Sequence, residues 1–501
     1  MNDNNTKLEH YFGEFREKII GIDQKFKSPF GEKEIIYADW TASGRLYSDI
    51  EDKIKDTFGP FVGNTHTETS ITGTSMTIAY HKARDIIKKH INADENDILI
   101  STGNGMTGVI NKFQRILGLK VAENLSKYTD IPEDLRPVVF ITHMEHHSNQ
   151  TSWLETIARV EVIKATDDGL VDLEDLKVLV EKHKDKPLKI ASVSACSNVT
   201  GIQPPVHEIA RIMHQNGGLC FADYACSAPY VSIDMHPDEE SHLDAVMISP
   251  HKFLGGPGTS GILVFNKNLY KNAVPDVPGG GTVSWTNPWG EHKYHDNIED
   301  REDGGTPGFL QTIRTALSVK LKEQMGVDNI LKREHEILDI IYKEFETIPG
   351  MVLLAGQHKD RLGVLSFYIE DMHYNFGVKV LNDKFGIQVR GGCSCAGTYG
   401  HYLLNVTKEK SNSITCEIDS GDLTHKPGWI RMSIHPTMTN DEVKYICDSI
   451  RDVAENHSEL IKDYEFDPHT NEFDFKGYKR YENEMVDEWF EPAKKVRDIV
   501  L

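Results

Sequence analysis

Leu8, Tyr11, Phe12, Phe15 and Ile19 recur at helical spacing in LEHYFGEFREKII, which predicts an amphipathic helix over 8–20 that must dock on another surface. It is expected to cap a domain formed later in the chain. From DILIST (97–102) onward the period changes. Short apolar runs, PVVFIT, VEVIKA, LKIASVSA, GLCFADY and DAVMIS, alternate with helical stretches such as LEDLKVLVEKH and VHEIARIMHQNGG. Strands this apolar are buried on both faces, so the alternation predicts a mostly parallel sheet with helices on either side. Residues 276–308 interrupt the rhythm with Gly, Trp and charge, and read as a loop too long for a mere connector. Beyond it, a helical stretch (309–347), the strands MVLLAG and GVLSFYI, a helix and strand in VKVLNDKFGIQVR, the strand GWIRMSI and the helix DEVKYICDSIRDVAEN predict a smaller α+β domain. The tail, 464–501, mixes acidic residues with Tyr, Phe and Trp and carries no recognisable chemistry.

Length and charge narrow the function. A chain of 501 residues has room for two domains and an enclosed site. Lys+Arg 55 against Asp+Glu 77 gives a net charge of −22, which opposes nonspecific binding to nucleic acid or an anionic membrane and favours a small substrate. The start, MNDNNTKLEHYF, lacks the regions of a signal peptide, and no apolar run approaches a membrane span, so the expected location is cytoplasmic. Seven cysteines over this length suggest no disulfide framework, and an odd number cannot all pair within one chain.

Sheets of this kind bind ligands beyond the carboxyl ends of their strands. GNGMTG follows DILIST and opens a helix whose free N–H groups suit a phosphate. HMEHHSNQ follows PVVFIT and offers imidazoles, Asn198 follows IASVSA, Asp223 ends GLCFAD, and Ser249, His251 and Lys252 follow DAVMI. A phosphate cup, an imidazole, a carboxylate and a lysine at successive strand ends are what pyridoxal 5'-phosphate needs: the lysine as covalent anchor, the carboxylate to keep the pyridine nitrogen protonated. Singly, each piece is weak. The Gly-rich turn could serve a nucleotide, an Asp at a strand end is often a helix cap, and a lysine in a turn is often a solvated charge.

Taken together and in order, YADWTASG, GNTHTETS, MEHHSNQTSW, ADYACSAP, SPHKFLGGPG, GGTP and VRGGCSCAG resemble the class V aminotransferase family of fold type I pyridoxal-phosphate enzymes, and within it the cysteine desulfurase and selenocysteine lyase group, over about residues 35–455. The resemblance implies an α/β fold: a large domain with a mostly parallel seven-stranded sheet plus a smaller α+β C-terminal domain. The corresponding division is an N-terminal helical segment (1–36) packed with the small domain, a cofactor-binding domain (37–308), a small domain (309–465) and an extension (466–501). By the same resemblance, Lys252 is the covalent anchor and proton shuttle, Asp223 the partner of the pyridine nitrogen, and His146 the imidazole stacked on the ring. Asn198 lies near the ring oxygen or the substrate carboxylate. Gly105, Met106, Ser249 and His251 hold the phosphate, with Thr306 of GGTP reaching in from a second subunit of a homodimer. Arg431 grips the substrate carboxylate, His66 sits over the substrate, and Cys395 is the thiol that takes sulfur. The implied activity is conversion of L-cysteine to L-alanine with a persulfide on Cys395, passed on to a sulfur-accepting protein. Other readings keep the cofactor but change the reaction to a selenocysteine lyase, another β-elimination, an epimerase or an aminotransferase; a noncatalytic sulfur-handling protein is a further one.

Two departures from the family pattern stand out. Cys226 occupies the position three after Asp223 where a Gln usually donates to the ring oxygen, and a thiol is a much weaker donor. The thiol loop reads CSC, with Cys393 beside Cys395. No metal is expected: HMEHH is not the H-E-x-x-H helix, and Cys393, Cys395, His401 and Cys416 have no familiar ligand spacing. Trp153, Trp285, Trp289 and Trp429 are expected to be mostly packing.

Overall fold

The computed structural model describes residues 3–65 and 67–492. Seven strands form the large sheet: β1 (Asp97–Thr102), β2 (Val138–Thr142), β3 (Arg159–Ile163), β4 (Lys189–Ser194), β5 (Leu219–Asp223), β6 (Ala245–Ile248) and β7 (Gly261–Asn266), in the order β1-β7-β6-β5-β4-β2-β3. Strands β2 to β6 pair in parallel, and β7 runs antiparallel to both β1 and β6. The expected mostly parallel seven-stranded sheet is therefore present. Its apolar runs serve two cores by the alternation of a pleated strand. Cys220, Ala222, Val246 and Ile248 face one helix layer, containing Ile209 and Met213. Phe221, Ala245 and Met247 face the other, containing Val109, Phe113 and Trp153.

The smaller sheet is antiparallel: β8 (Met351–Leu353), β9 (Val364–Ile369), β10 (Arg390–Gly392) and β11 (Trp429–Ser433), in the order β8-β9-β11-β10. Helices Val327–Phe345, Tyr374–Phe385 and Asn440–Leu460 cover it, and Phe12, Phe15 and Ile19 from the N-terminus enter the same core. The N-terminal helix runs Asp3–Arg16, so Ile19 joins that core from the turn beyond it.

The helical stretch 309–347 is two helices, Phe309–Met325 and Val327–Phe345, parted at Gly326, whose φ of +75° suits only a residue without a Cβ. The first lays Ile313, Ala316 and Val319 on the large-sheet core, and its end, Leu321 and Met325, reaches the smaller-sheet core. The segment read as a loop, 276–308, contains a hairpin, Val283–Thr286 with His292–Tyr294, and a short helix, Ile298–Glu302. Trp153 and Trp429 are fully buried as expected of packing residues, whereas Trp285 and Trp289 on the hairpin are exposed. In the tail, the hairpin Tyr464–Asp467 with Glu472–Phe475 packs Tyr464 and Phe473 into the smaller-sheet core. Among the described residues, no helix is long and apolar enough to cross a membrane.

Candidate active site

A cavity of about 200 Å³ opens where β4, β5 and β6 end, and Arg390, Ser394, Cys395 and Arg431, on and beside the smaller sheet, close one side of it. Gly105, Met106, His146, Asn198, Asp223, Cys226, Ser249, His251, Lys252, Cys395 and Arg431 all line it.

At one end, β1 gives way to the helix Gly105–Ile116, whose first free N–H groups face Ser249: Met106 N–H donates to Ser249 Oγ at 2.8 Å. Gly105 has φ +59°, and a Cβ there would lie 3.0 Å from Ser249 Oγ and 3.5 Å from the His251 ring. A Cβ on Gly261 would come within 2.3 Å of the Gly105 carbonyl oxygen. These glycines keep the cup open. His251 is pushed down to about 4 by burial and then by Lys252, so its ring is neutral near pH 7.

Lys252 closes the short turn Pro250–Lys252 immediately after β6. The turn is tight: a Cβ on Gly256 would sit 1.9 Å from Pro250 O, and one on Gly44 1.9 Å from Phe253 O. Burial lowers the lysine's pKa, against the pull of Cys226 and Asp223. At the end of β5, Asp223 accepts the Ala225 N–H at 2.8 Å; burial pushes the carboxyl up to about 6, although that bond and Lys252 oppose the rise. His146 caps the helix His147–Leu154, and its Nδ1 accepts the Ser148 N–H at 3.1 Å. Burial, reinforced by Lys252, takes it down to about 3.

From the smaller sheet, Arg431 on β11 enters buried. One amino group donates to Asp39 Oδ1 at 2.7 Å and the other to Asn198 O at 3.2 Å, while Nε is buried without a partner. Asn198 donates Nδ2 to Ser394 O at 2.7 Å, and its Oδ1 is buried and unpartnered.

Cys395 is exposed and also lines the cavity. Ser394 and Cys395 both hold left-handed φ, +52° and +57°, a conformation that non-glycine residues adopt only when held there. What holds them is His147: its N–H donates to Cys395 O at 2.8 Å, and its Nε2 accepts the Gly397 N–H at 2.9 Å. Cys393 is half-buried and packs against the cluster of Tyr399 and Trp429.

Thr306 is exposed, its Oγ1 3.4 Å from Asn64 Oδ1, and it does not line this cavity. His66 lies outside the described residues. Within HMEHH, His146 and His147 serve the site, whereas Glu145 and His143 are spent on the fold. Glu145 accepts from Thr142 Oγ1 and Ser194 Oγ, each at 2.6 Å, and from Asn149 Nδ2 at 2.7 Å, while His143 Nε2 meets Gly169 O at 3.1 Å.

Asp39 and His147 were not legible as site residues, because their partners stand hundreds of residues away in the chain. Cys196 was missed as well. It lines the cavity beside Cys226, and both thiols donate to Ser197 O, at 3.5 and 3.8 Å.

The sequence pattern of the Aminotransferase class-V family matches residues 36–446. A probable cysteine desulfurase of Halalkalibacterium halodurans is 30% identical over 370 residues, 72% of this chain and 84% of that protein. One from Staphylococcus aureus is 29% identical over 75% of this chain and 85% of its own length. Among solved structures, the apo cysteine desulfurase of Thermococcus onnurineus superposes with a TM-score of 0.71 at 20% identity, over 88% of this chain and 98% of that one. The cysteine desulfurase CsdA of Escherichia coli gives 0.69 at 19%, over 89% and 98%. At these identities the structures speak for the fold.

Proposed function

The chain belongs to the class V aminotransferase family, and from that premise we propose that it is a pyridoxal-5'-phosphate-dependent cysteine desulfurase that converts L-cysteine to L-alanine and carries the sulfur on Cys395. The residues around the cavity fit the cofactor. The Gly105 cup offers N–H groups and a hydroxyl to a phosphate, Asp223 is a buried carboxylate in want of a cation, and Lys252 is an amine whose neutral form is favoured by burial. When bound, pyridoxal phosphate supplies the electron sink that lets an amino acid lose its Cα proton.

The protein's own groups do the rest. Arg431, oriented by Asp39, holds the substrate carboxylate. Lys252 takes the Cα proton and returns one to carbon. His146, neutral at physiological pH, packs its ring in the cavity without adding charge. The Cys395 thiolate attacks the substrate sulfur: an S–S bond forms, the Cβ–S bond breaks with its electron pair left on the carbon skeleton, and protonation there gives alanine. A sulfur-accepting protein then takes the outer sulfur. We also assign Thr306 to the cavity of a second subunit in a homodimer, which accounts for its exposure here.

The observation that carries this reading is the strained Cys395 loop, pinned by His147 and Asn198 at the mouth of a cavity holding Lys252, Asp223 and Arg431. The test is alanine and sulfide release from L-cysteine with a dithiol reductant, on cofactor-loaded wild type and Cys395→Ser. Equal yields of the two products, lost in the variant, support it. No product from a protein that carries the absorbance of lysine-bound cofactor overturns it, and points to another amino acid as substrate. The Cys196–Cys226 thiol pair, in place of an amide donor, is the feature that favours that second reading.

A further inference from the structure

At the end of the large sheet opposite the cavity, three side chains from two separate segments converge. His214 lies in the last turn of the helix Val206–Gln215, and His242 and Asp244 stand just before β6, whose other end carries Lys252. Asp244 Oδ2 is 2.9 Å from His214 Nε2, and its Oδ1 is 3.7 Å from His242 Nε2. The two rings stack with centroids 4.0 Å apart and planes at 17°.

The protonation of these rings is constrained by their other nitrogens. His214 Nδ1 lies 2.7 Å from Glu240 O and His242 Nδ1 2.9 Å from Glu239 O. A carbonyl only accepts, so both Nδ1 atoms carry the proton. A neutral ring then presents a bare Nε2 lone pair to a carboxylate, which for His214 means two lone pairs opposed at 2.9 Å. One cationic ring alone would pair with the carboxylate and leave the other Nε2 lone pair unused, and two cationic rings would stack two positive charges 4.0 Å apart over one carboxylate whose Oδ2 also accepts the Cys220 N–H at 2.8 Å. A bound divalent cation is the arrangement that uses both Nε2 lone pairs and the carboxylate together. A backbone carbonyl on the opposite ring nitrogen is the usual outer partner of a metal-bound histidine.

We propose that His214, His242 and Asp244 form a divalent-cation site of the zinc class, remote from the active site and with its fourth position open to solvent. The three donor atoms already lie within 4.8 Å of one another, and metal–ligand distances of about 2.0–2.2 Å need only small side-chain shifts. Two imidazoles and one carboxylate suit zinc and its late first-row neighbours, whereas magnesium and calcium require oxygen. The side chains of His214 and His242 are 14% and 30% exposed, which leaves an ion a way in. Beside them, the buried Asp97 carboxylate pairs with His236 Nε2 at 2.6 Å and keeps Oδ1 unpartnered, adding negative charge next to the site; the His236 ring lies 6.2 Å from that of His242. An ion here would tie the helix Val206–Gln215 to the start of β6, and so stabilise the sheet that carries Lys252 at its other end.

The test is zinc titration of the chelator-stripped, full-length protein. Cys393→Ser/Cys395→Ser serves as the parent, so that the exposed thiols do not compete. Bound zinc is counted by elemental analysis after desalting, and thermal unfolding is followed with and without zinc. About one zinc per chain and a zinc-dependent rise in Tm are expected, with affinity at least about tenfold weaker in His214→Asn/His242→Asn. Should the double variant fail to fold, His242→Gln alone, at the more exposed position, is expected to show the same loss. A parent that takes up no zinc identifies the cluster as a plain ion-pair network and overturns the proposal. Variants that bind zinc as the parent does overturn it equally.

Discussion

Asp39 holds Arg431 in place: its Oδ1 accepts from the Arg431 guanidinium at 2.7 Å while its Oδ2 accepts from Arg390 Nε at 3.0 Å. One carboxylate in the stretch after the N-terminal segment thus fixes two arginines of the small sheet. Asp39→Asn leaves Arg431 buried without its counter-charge, and breaking a buried pair from one side costs about 3–5 kcal/mol. The variant is expected to melt well below wild type, and L-alanine, whose carboxylate replaces the missing charge, is expected to raise its Tm more than that of wild type. Equal shifts in the two proteins would mean that Arg431 does not face the ligand's carboxylate.

The phosphate cup is expected to fail on the addition of one methyl group. Gly105 combines a left-handed φ of +59° with a Cβ direction that ends 3.0 Å from Ser249 Oγ. Gly105→Ala pays about 1–2 kcal/mol for the conformation and displaces the hydroxyl that accepts from Met106. Pyridoxal phosphate titration, read by the quenching of protein fluorescence, should give an affinity lower by about tenfold or more.

His147 acts through the thiol loop rather than on substrate, so its loss separates two readouts. His147→Ala removes the acceptor of the Gly397 N–H but leaves Lys252 and Asp223 untouched. Cofactor loading is expected to equal wild type, while sulfide release falls about tenfold and the rate of Cys395 alkylation changes. Unchanged alkylation and turnover would show that the left-handed pair Ser394–Cys395 is held without this ring.

The large sheet was legible because each buried strand is a short, uninterrupted apolar run, and a run of that kind has few other ways to hide both faces. The order of chemistry along it was legible too, since a parallel sheet brings successive strand ends to one edge. Asp39 and His147 were not, because an ion pair to Arg431 or a hydrogen bond to Gly397 leaves no periodic mark. The hairpin inside 276–308 was hidden for a different reason: its strands, Val283–Thr286 and His292–Tyr294, are mostly exposed, so they lack the apolar signature of the core strands. His214, His242 and Asp244 come from two segments that only the fold brings together, and the one histidine-rich run in the sequence, HMEHH, drew attention elsewhere.

Glu334 makes stability fall as pH rises. Its Oε1 accepts the Gly363 N–H at 3.3 Å, its Oε2 is buried without a partner, and burial pushes the carboxyl up to about 8. Between the ordinary carboxylate range and about pH 8 the folded protein keeps this proton while the unfolded chain releases it, so each pH unit in that window removes up to about 1.4 kcal/mol. Two other buried groups act with the opposite sign. His435, held down to about 3, costs stability as pH falls below the ordinary histidine value, and Lys322, lowered to about 7, adds stability as pH rises above that point. The difference between Glu334→Gln and wild type cancels both. Glutamine keeps an acceptor for Gly363 and carries no charge, so the variant is expected to gain on wild type steadily from pH 5 to pH 8, as read from the urea midpoint at each pH. A difference that does not change with pH would mean that Glu334 ionises in the folded protein as it does in the unfolded chain.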